Sequence, residues 1–136
     1  MAYFADGAEV EHFIGGIFTA CVEDAELKDK LAESGVVLGL HFTDPEAAVV
    51  ADFPSYKVFT GAGNGPTPNV ELFMTADVGH DYWLGKVNVS VALARGQMRA
   101  KGPVPKILKL VPLTKKVFPK YRQMVEAEGR TDLLGA

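Results

Sequence analysis

Cysteine is almost missing from this sequence of 136 residues, which contains Cys21 and no second thiol. A single cysteine excludes a disulfide within the chain and is typical of a reducing compartment. Long apolar runs are missing too, because no stretch approaches the roughly 18 residues that a membrane-spanning helix needs. The first thirteen residues carry acids and no lysine or arginine, unlike a secretory signal peptide. We therefore expect a cytoplasmic protein.

The residue patterns of common catalytic, metal and nucleotide sites are also missing. His12, His41 and His80 are too far apart in sequence to place two metal ligands on one helix face. No serine lies in a G-x-S-x-G elbow. The segment "GAGNGPTP" has Pro66 where a dinucleotide-binding loop needs its third glycine, so we interpret it as a turn between strands. We expect neither a metal nor a cofactor.

Charge is distributed unevenly along the chain. Residues 1–46 contain ten acids and two lysines, whereas residues 86–136 contain eleven bases and three acids. Such asymmetry is found in proteins that contact anionic lipid headgroups or nucleic acid. The alternative is that both regions are simply solvated or pack near each other. We favour this alternative and expect no nucleic-acid partner, since the basic region has no arginine-rich cluster.

Apolar side chains are what the sequence has in surplus. They make up 48% of the residues, with eight phenylalanines and four methionines. A chain of this length can form one domain with one core, so we assign residues 1–136 to a single domain. The surplus fits either an ordinary core with a homodimer interface or an apolar cavity. Composition by itself favours the first.

Two helices and four strands are predicted before residue 77. The apolar stripe over residues 7–21 repeats every three or four positions and indicates a helix. A second helix is expected over residues 25–33, with Asp24 as its N-cap. The period then changes to two, which predicts strands, the first within residues 35–44. The other three are expected at residues 47–53, 56–61 and 70–76.

The rest of the chain is predicted to be mainly helical. A helix from Val78 to about Leu84 follows Asp77, a residue suited to cap it. Near the end, Pro105, Pro112 and Pro119 prevent one continuous helix and favour short amphipathic helices that begin near a proline. The order of elements is that of an α+β protein.

The stretch "WLGKVNVSVALARGQMRAKG", residues 83–102, permits two interpretations. Its apolar residues alternate strictly from Val87 to Leu93, which is typical of a half-buried strand. A resemblance to a known family favours a different one. The segments "VELFMTAD", "LGKVNV", Ala94-Arg95-Gly96 and "QMRAKG" follow one another as in the sterol carrier protein type-two family of nonspecific lipid-transfer domains. "GVVLGLHFTDPEA" and "YKVFTG" resemble the first strands of that family.

The resemblance implies a five-stranded, mostly antiparallel sheet covered by helices, with an apolar cavity between the sheet and the C-terminal helices. It places a helix at about residues 89–95, ended by Gly96, and a strand at residues 97–101. On this basis Val89, Ala92 and Leu93 share one face of a helix that is apolar around almost its whole perimeter. The chain departs from the family at Val89, where the family often has proline.

The function implied is non-catalytic binding, and with it transfer, of fatty acids, fatty acyl-coenzyme A or sterol-like lipids inside the cell. The expected cavity lining consists of Leu72, Met74, Trp83, Val91, Met98, Ile107, Leu110, Val111, Val117 and Phe118. The basic residues Lys106, Lys109, Lys115 and Lys116 are candidates for contact with a carboxylate, a phosphate or an anionic membrane surface.

Two other functions stay open. The chain fits a small cone-shaped α+β enzyme, isomerase-like, that acts on an apolar substrate. Its candidate catalytic residues are Asp52, Tyr56, Asp81 and Tyr82, with one of the two aspartates as the base. The chain also fits a ligand-free accessory or dimerisation domain of a larger assembly.

Overall fold

Helix α1 (Gly7–Glu23) begins at Asp6, whose carboxylate accepts a hydrogen bond from the backbone N–H of Glu9. The computed structural model describes residues 3–134, so the four terminal residues of the predicted 1–136 domain lie outside the described residues. The predicted stripe of α1 is buried, with Val10, Ile14 and Ile17 fully covered. The helix packs on one half of the sheet and confirms the prediction, extending it by two residues.

Helix α2 (Lys28–Glu33) starts three residues later than predicted. The carboxylate of Asp24 accepts the backbone N–H groups of Glu26 and Leu27, so it closes a turn rather than capping the helix. An aspartate carboxylate accepts backbone N–H groups in the same way in a turn and at a helix N-cap, so the residues around Asp24 did not show which of the two it forms.

Five strands form one sheet, in the order β3-β2-β1-β4-β5. The strands are β1 (Val37–Thr43), β2 (Ala47–Asp52), β3 (Lys57–Thr60), β4 (Val70–Thr75) and β5 (Met98–Lys101). Only β1 and β4 pair in parallel, and the other three pairs are antiparallel. The predicted α+β fold with a five-stranded, mostly antiparallel sheet is confirmed.

The alternation along the strands gives the sheet one apolar inner face. Leu40 pairs with Leu72, and Phe42 pairs with Met74, which pairs with Met98 on the far side. All five side chains are buried under the helices. The inner face therefore presents continuous rows of large apolar side chains across β1, β4 and β5.

The glycine-rich segment over residues 61–68 connects β3 to β4, and it lies against the opposite face of the sheet. A Cβ atom added at Gly39 of β1 would be 2.6 Å from the ring of Pro68. The glycine thus lets this connection approach the strand closely. Nearby, the His41 ring stacks on Phe73 and bonds Glu71 at 2.8 Å.

Helix α3 (Ala76–Trp83) follows β4 directly. Its cap is Thr75, whose hydroxyl accepts the N–H of Val78, and the prediction of Asp77 as the cap is wrong. Asp77 instead accepts the backbone N–H of Tyr3. The helix thereby starts two residues earlier than predicted.

Helix α4 (Val89–Ala94) and strand β5 confirm that the stretch with strict alternation is a helix followed by a strand. Asn88 caps α4 through the N–H of Val91, and Gly96 adopts a left-handed φ of 76° after it. The helix is not buried around its whole perimeter, however. Val89 and Ala92 are buried, whereas Val91 is 42% exposed, because only one face of α4 packs on its neighbours.

The C-terminal part contains α5 (Val104–Thr114) and α6 (Phe118–Ala127), joined by a turn of 3₁₀-helix at Lys115–Val117. A second such turn at Thr131–Leu134 ends the described chain. Pro105 and Pro119 lie in the first turns of α5 and α6, as predicted. Pro112 starts no helix and lies inside α5, on its exposed side. Because proline has no N–H to donate, the carbonyl four residues earlier has no partner within the helix and can be hydrated instead.

Candidate functional site

An apolar pocket lies between the inner face of the sheet and helices α1, α3 and α5. Its free volume is about 60 Å³, room for a few water molecules. Fifteen residues line it: Phe18, Leu38, Leu40, Phe42, Phe53, Leu72, Met74, Gly79, Tyr82, Trp83, Met98, Ile107, Leu110, Val111 and Thr114. The pocket is therefore narrow in this structure and almost entirely surrounded by hydrocarbon.

Seven of the ten residues predicted as cavity lining are brought together here. They are Leu72, Met74, Trp83, Met98, Ile107, Leu110 and Val111. Whether they contact a ligand stays a prediction.

Three of the predicted lining residues lie elsewhere. Val91 is on the exposed side of α4. It was predicted wrongly because α4 is apolar around almost its whole perimeter, so its residues do not indicate which face turns inward. Val117 is buried in the turn after α5, away from the pocket. Phe118 is half-buried and packs edge-on behind the lining, with its ring 5.2 Å from that of Tyr82 and 5.7 Å from that of Trp83.

Several lining residues were not predicted. Leu38, Leu40 and Phe42 come from β1, and the period of two had already placed them on one face of that strand. The missing information was the parallel pairing of β1 with β4, which puts this face beside Leu72 and Met74. Phe18 also belongs to a recognised stripe, that of α1.

Two hydroxyl groups are the conspicuous polar feature of the lining. The oxygen atoms of Tyr82 and Thr114 are 2.5 Å apart, and the Thr114 hydroxyl also donates to the carbonyl of Val111 at 3.1 Å. Burial raises the pKa of Tyr82 to about 12, so its hydroxyl is protonated at neutral pH.

Behind the pocket wall, His80 forms a buried polar cluster on α3. Because a carbonyl only accepts, the Nε2–H of His80 donates to the carbonyl of Leu133, and Nδ1 accepts from the Tyr121 hydroxyl at 2.6 Å. The rings of Tyr3 and Phe4 also contact the imidazole, with centroids at 4.8 and 5.3 Å. Burial lowers the pKa of His80, which favours the neutral ring. This cluster joins α3 to both ends of the described chain.

The candidate catalytic residues do not meet at one point. Asp52 is nearly buried and accepts the backbone N–H of Ser55. Tyr56 is exposed and donates to Asp29 at 2.8 Å. Asp81 is half-buried, and its Oδ1 has no hydrogen-bond partner among the described residues. Of the four candidates, Tyr82 alone lines the pocket.

Two of the four candidate lysines border a separate concavity with a larger free volume, about 360 Å³. Lys106 and Lys109 of α5 line it together with Lys30 and Glu33 of α2. Lys115 and Lys116 follow in the exposed turn after α5. Across residues 3–134, no cluster of three metal-ligating side chains is found, and no helix is long and apolar enough to cross a membrane.

No family model matches the sequence, and no curated protein matches it. Solved structures do. Sterol carrier protein 2 from Yarrowia lipolytica, in its apo form, superposes with a TM-score of 0.66 at 18% identity, covering 85% of this chain and 96% of that one. Sterol carrier protein domain 2 of Helicoverpa armigera gives a TM-score of 0.64 at 18% identity, covering 79% and 88%.

A third similar structure contains a ligand. It is the complex of Aedes aegypti sterol carrier protein 2 with palmitate, with a TM-score of 0.54 at 19% identity and coverage of 74% and 94%. Identities this low establish similarity of fold. The predicted resemblance is confirmed at that level, and the chain has the fold of sterol carrier protein 2 domains.

Proposed function

We propose that this protein binds a lipid non-catalytically in the pocket between the sheet and α5, and transfers it inside the cell. The observation that carries the proposal is the lining, which is apolar on every side apart from a few polar atoms. Apolar enclosure is what an acyl chain or a fused-ring lipid requires, at about 25 cal/mol for each Å² removed from water. The palmitate complex of a protein with the same fold supports this use of the pocket.

The pocket must open before such a ligand fits. Its volume of about 60 Å³ is well below the roughly 300 Å³ at which sites for drug-sized ligands begin. Met74 and Met98 line it with flexible side chains that can repack around a ligand. Helix α5 is the wall suited to move, since Pro112 interrupts its backbone hydrogen bonds.

A carrier role is favoured over an enzymatic one. Among the described residues, the pocket lining contains hydroxyl groups but no carboxylate, imidazole or amine that would act as a base at neutral pH. The enzyme alternative requires a pH-dependent activity that is lost when its base, Asp52 or Asp81, is replaced by asparagine. The alternative of a ligand-free accessory or homodimeric domain requires a pocket that takes no lipid.

We also propose weak contact with anionic membranes through the basic part of the chain, and a cytoplasmic location. Residues 86–125 contain ten bases and no acid. Lys106 and Lys109 lie on α5, the same helix as Leu108, which is 38% exposed. Co-flotation with phosphatidylserine vesicles that falls with added salt is expected, and equal flotation with neutral vesicles would contradict it.

The central experiment is native mass spectrometry of protein purified from cells, followed by extraction and identification of any bound lipid. We expect a co-purifying lipid, displacement of a fluorescent fatty acid, and movement of lipid between donor and acceptor vesicles. A pocket that is empty after purification and refuses fluorescent fatty acids would overturn the proposed function. Binding without movement between vesicles would leave a binding protein and remove transfer.

A further inference from the structure

Two hydroxyl groups interrupt the apolar lining and lie against each other. Tyr82 projects from α3 and Thr114 from the end of α5, with their oxygen atoms 2.5 Å apart. The rings of Trp83 and Phe118 meet the Tyr82 ring edge-on, at centroid distances of 5.3 and 5.2 Å. Thr114 itself is 5% exposed. The packing therefore fixes the position of this hydroxyl pair at the pocket wall.

The hydrogen bonds of the pair leave capacity for one more neutral partner. When Thr114 donates to the Val111 carbonyl and Tyr82 donates to Thr114, the Tyr82 oxygen can still accept. When Thr114 donates to Tyr82 instead, the Tyr82 proton becomes available to a ligand. The Val111 carbonyl then still accepts a hydrogen bond from the backbone N–H of Lys115. The pair can thus present an acceptor or a donor without rearranging the backbone.

We propose that the Tyr82–Thr114 pair binds the hydroxyl group of a neutral long-chain alcohol, whose apolar chain fills the pocket. This inference rests on the proposed lipid-binding function and adds the chemical class of the ligand. A hydroxyl both donates and accepts, so it complements either arrangement of the pair.

An anionic headgroup does not suit the same position. None of the fifteen lining residues carries a positively charged side chain. Burying a carboxylate or phosphate without a cation costs far more than one hydroxyl hydrogen bond returns. A fatty acid would therefore enter with its methyl end toward Tyr82 and Thr114 and keep its carboxylate in water. The pair distinguishes lipids by the charge of the group that reaches it.

The test compares 1-dodecanol with laurate, two ligands of equal chain length that differ in headgroup. Binding is followed at pH 8 by the fluorescence of Trp83, the single tryptophan, which lines the pocket. The informative variant is Tyr82→Phe, which removes the hydroxyl and keeps the ring. The matched control is Tyr56→Phe, which removes an exposed hydroxyl bonded to Asp29, outside the lining.

We expect Tyr82→Phe to weaken dodecanol binding about three- to tenfold, the loss of one neutral hydrogen bond, and to change laurate binding by less than about twofold. Tyr56→Phe should change neither. Thr114→Val alters the same pair and should again weaken dodecanol selectively, which keeps the test valid if Tyr82→Phe does not fold.

Two results would overturn the inference alone: dodecanol affinity unchanged in Tyr82→Phe and Thr114→Val, or affinities for dodecanol and laurate that fall equally. In both cases the wild-type protein still binds lipid and the proposed function stands. If neither ligand binds the wild-type protein, the proposed function fails and the inference fails with it.

Discussion

Leu110 and Leu108 provide a test of whether the space under α5 is a real pocket wall. The two leucines lie two positions apart on the same helix, yet Leu110 lines the pocket and is 5% exposed, whereas Leu108 is 38% exposed. Replacing each by alanine deletes the same atoms and leaves the same helix-forming residue. Any difference in stability between the two variants therefore reports on what each side chain contacts.

The expected magnitudes follow from burial. Removing three buried carbons loses about 2.4 kcal/mol of transfer free energy, and measured Leu→Ala costs in cores are about 2–5 kcal/mol. Leu110 already faces free space on one side, so we expect the lower part of that range, about 2–3 kcal/mol. For Leu108 the buried fraction is smaller and water refills the vacated space, so the cost should stay at or below about 1.5 kcal/mol.

Urea unfolding of both variants, followed by far-ultraviolet circular dichroism, measures these free energies. Adding 1-dodecanol gives a second comparison, because a ligand that occupies the enlarged pocket should stabilise Leu110→Ala more than Leu108→Ala. If Leu110→Ala costs no more than Leu108→Ala, then α5 does not close an apolar pocket in solution and the reasoning is refuted.

Two further predictions concern α3 and α1. Because burial lowers the pKa of His80, this side chain binds a proton near pH 6.5 in the unfolded chain but only at lower pH in the folded chain. Wild-type stability in urea should hence fall between pH 7.5 and 5.5, more steeply than that of His80→Gln, and equal slopes would contradict this. Gly79→Ala places a Cβ 2.6 Å from the buried ring of Phe42 and should lower the melting temperature. Gly16→Ala meets only the flexible end of Met124 and should raise it by improving helix propensity, so two shifts of the same sign would be evidence against this assignment of the contacts.

Local periodicity accounts for the parts of the fold that could be predicted from sequence. The stripe of α1 and the alternation of β1 and β4 each follow from side chains a few positions apart, and the structure buries the faces that they define. Helix α4 was different, since its residues alternate like a strand. The resemblance, and not the period, identified it as a helix, and the cap at Asn88 gives the physical reason.

Contacts between distant segments account for what was missed in the candidate site. Nothing within β1 indicates that it pairs with β4, whose paired residues are 32 positions further along the chain, so Leu38, Leu40 and Phe42 were not assigned to the pocket lining. The hydroxyl pair has the same origin. Tyr82 was a candidate only as a catalytic residue and Thr114 was not singled out, because their contact exists only once α5 folds over α3.

Helices α3 and α5, two of the three helices that line the pocket, differ in how many buried hydrogen bonds hold them. Helix α3 turns Tyr82 and Trp83 toward the pocket, while His80 on the same helix bonds the Tyr121 hydroxyl and the Leu133 carbonyl. Moving α3 would break these buried hydrogen bonds and leave polar groups without partners. Helix α5 bears exposed side chains on its outer surface and a proline within it. Its displacement breaks apolar contacts, which a lipid can replace, and one buried hydrogen bond to α3, between Thr114 and Tyr82. Moving α5 therefore breaks fewer buried hydrogen bonds than moving α3. Under the proposed function we expect the lipid to enter at α5, while α3 holds the Tyr82 hydroxyl in place.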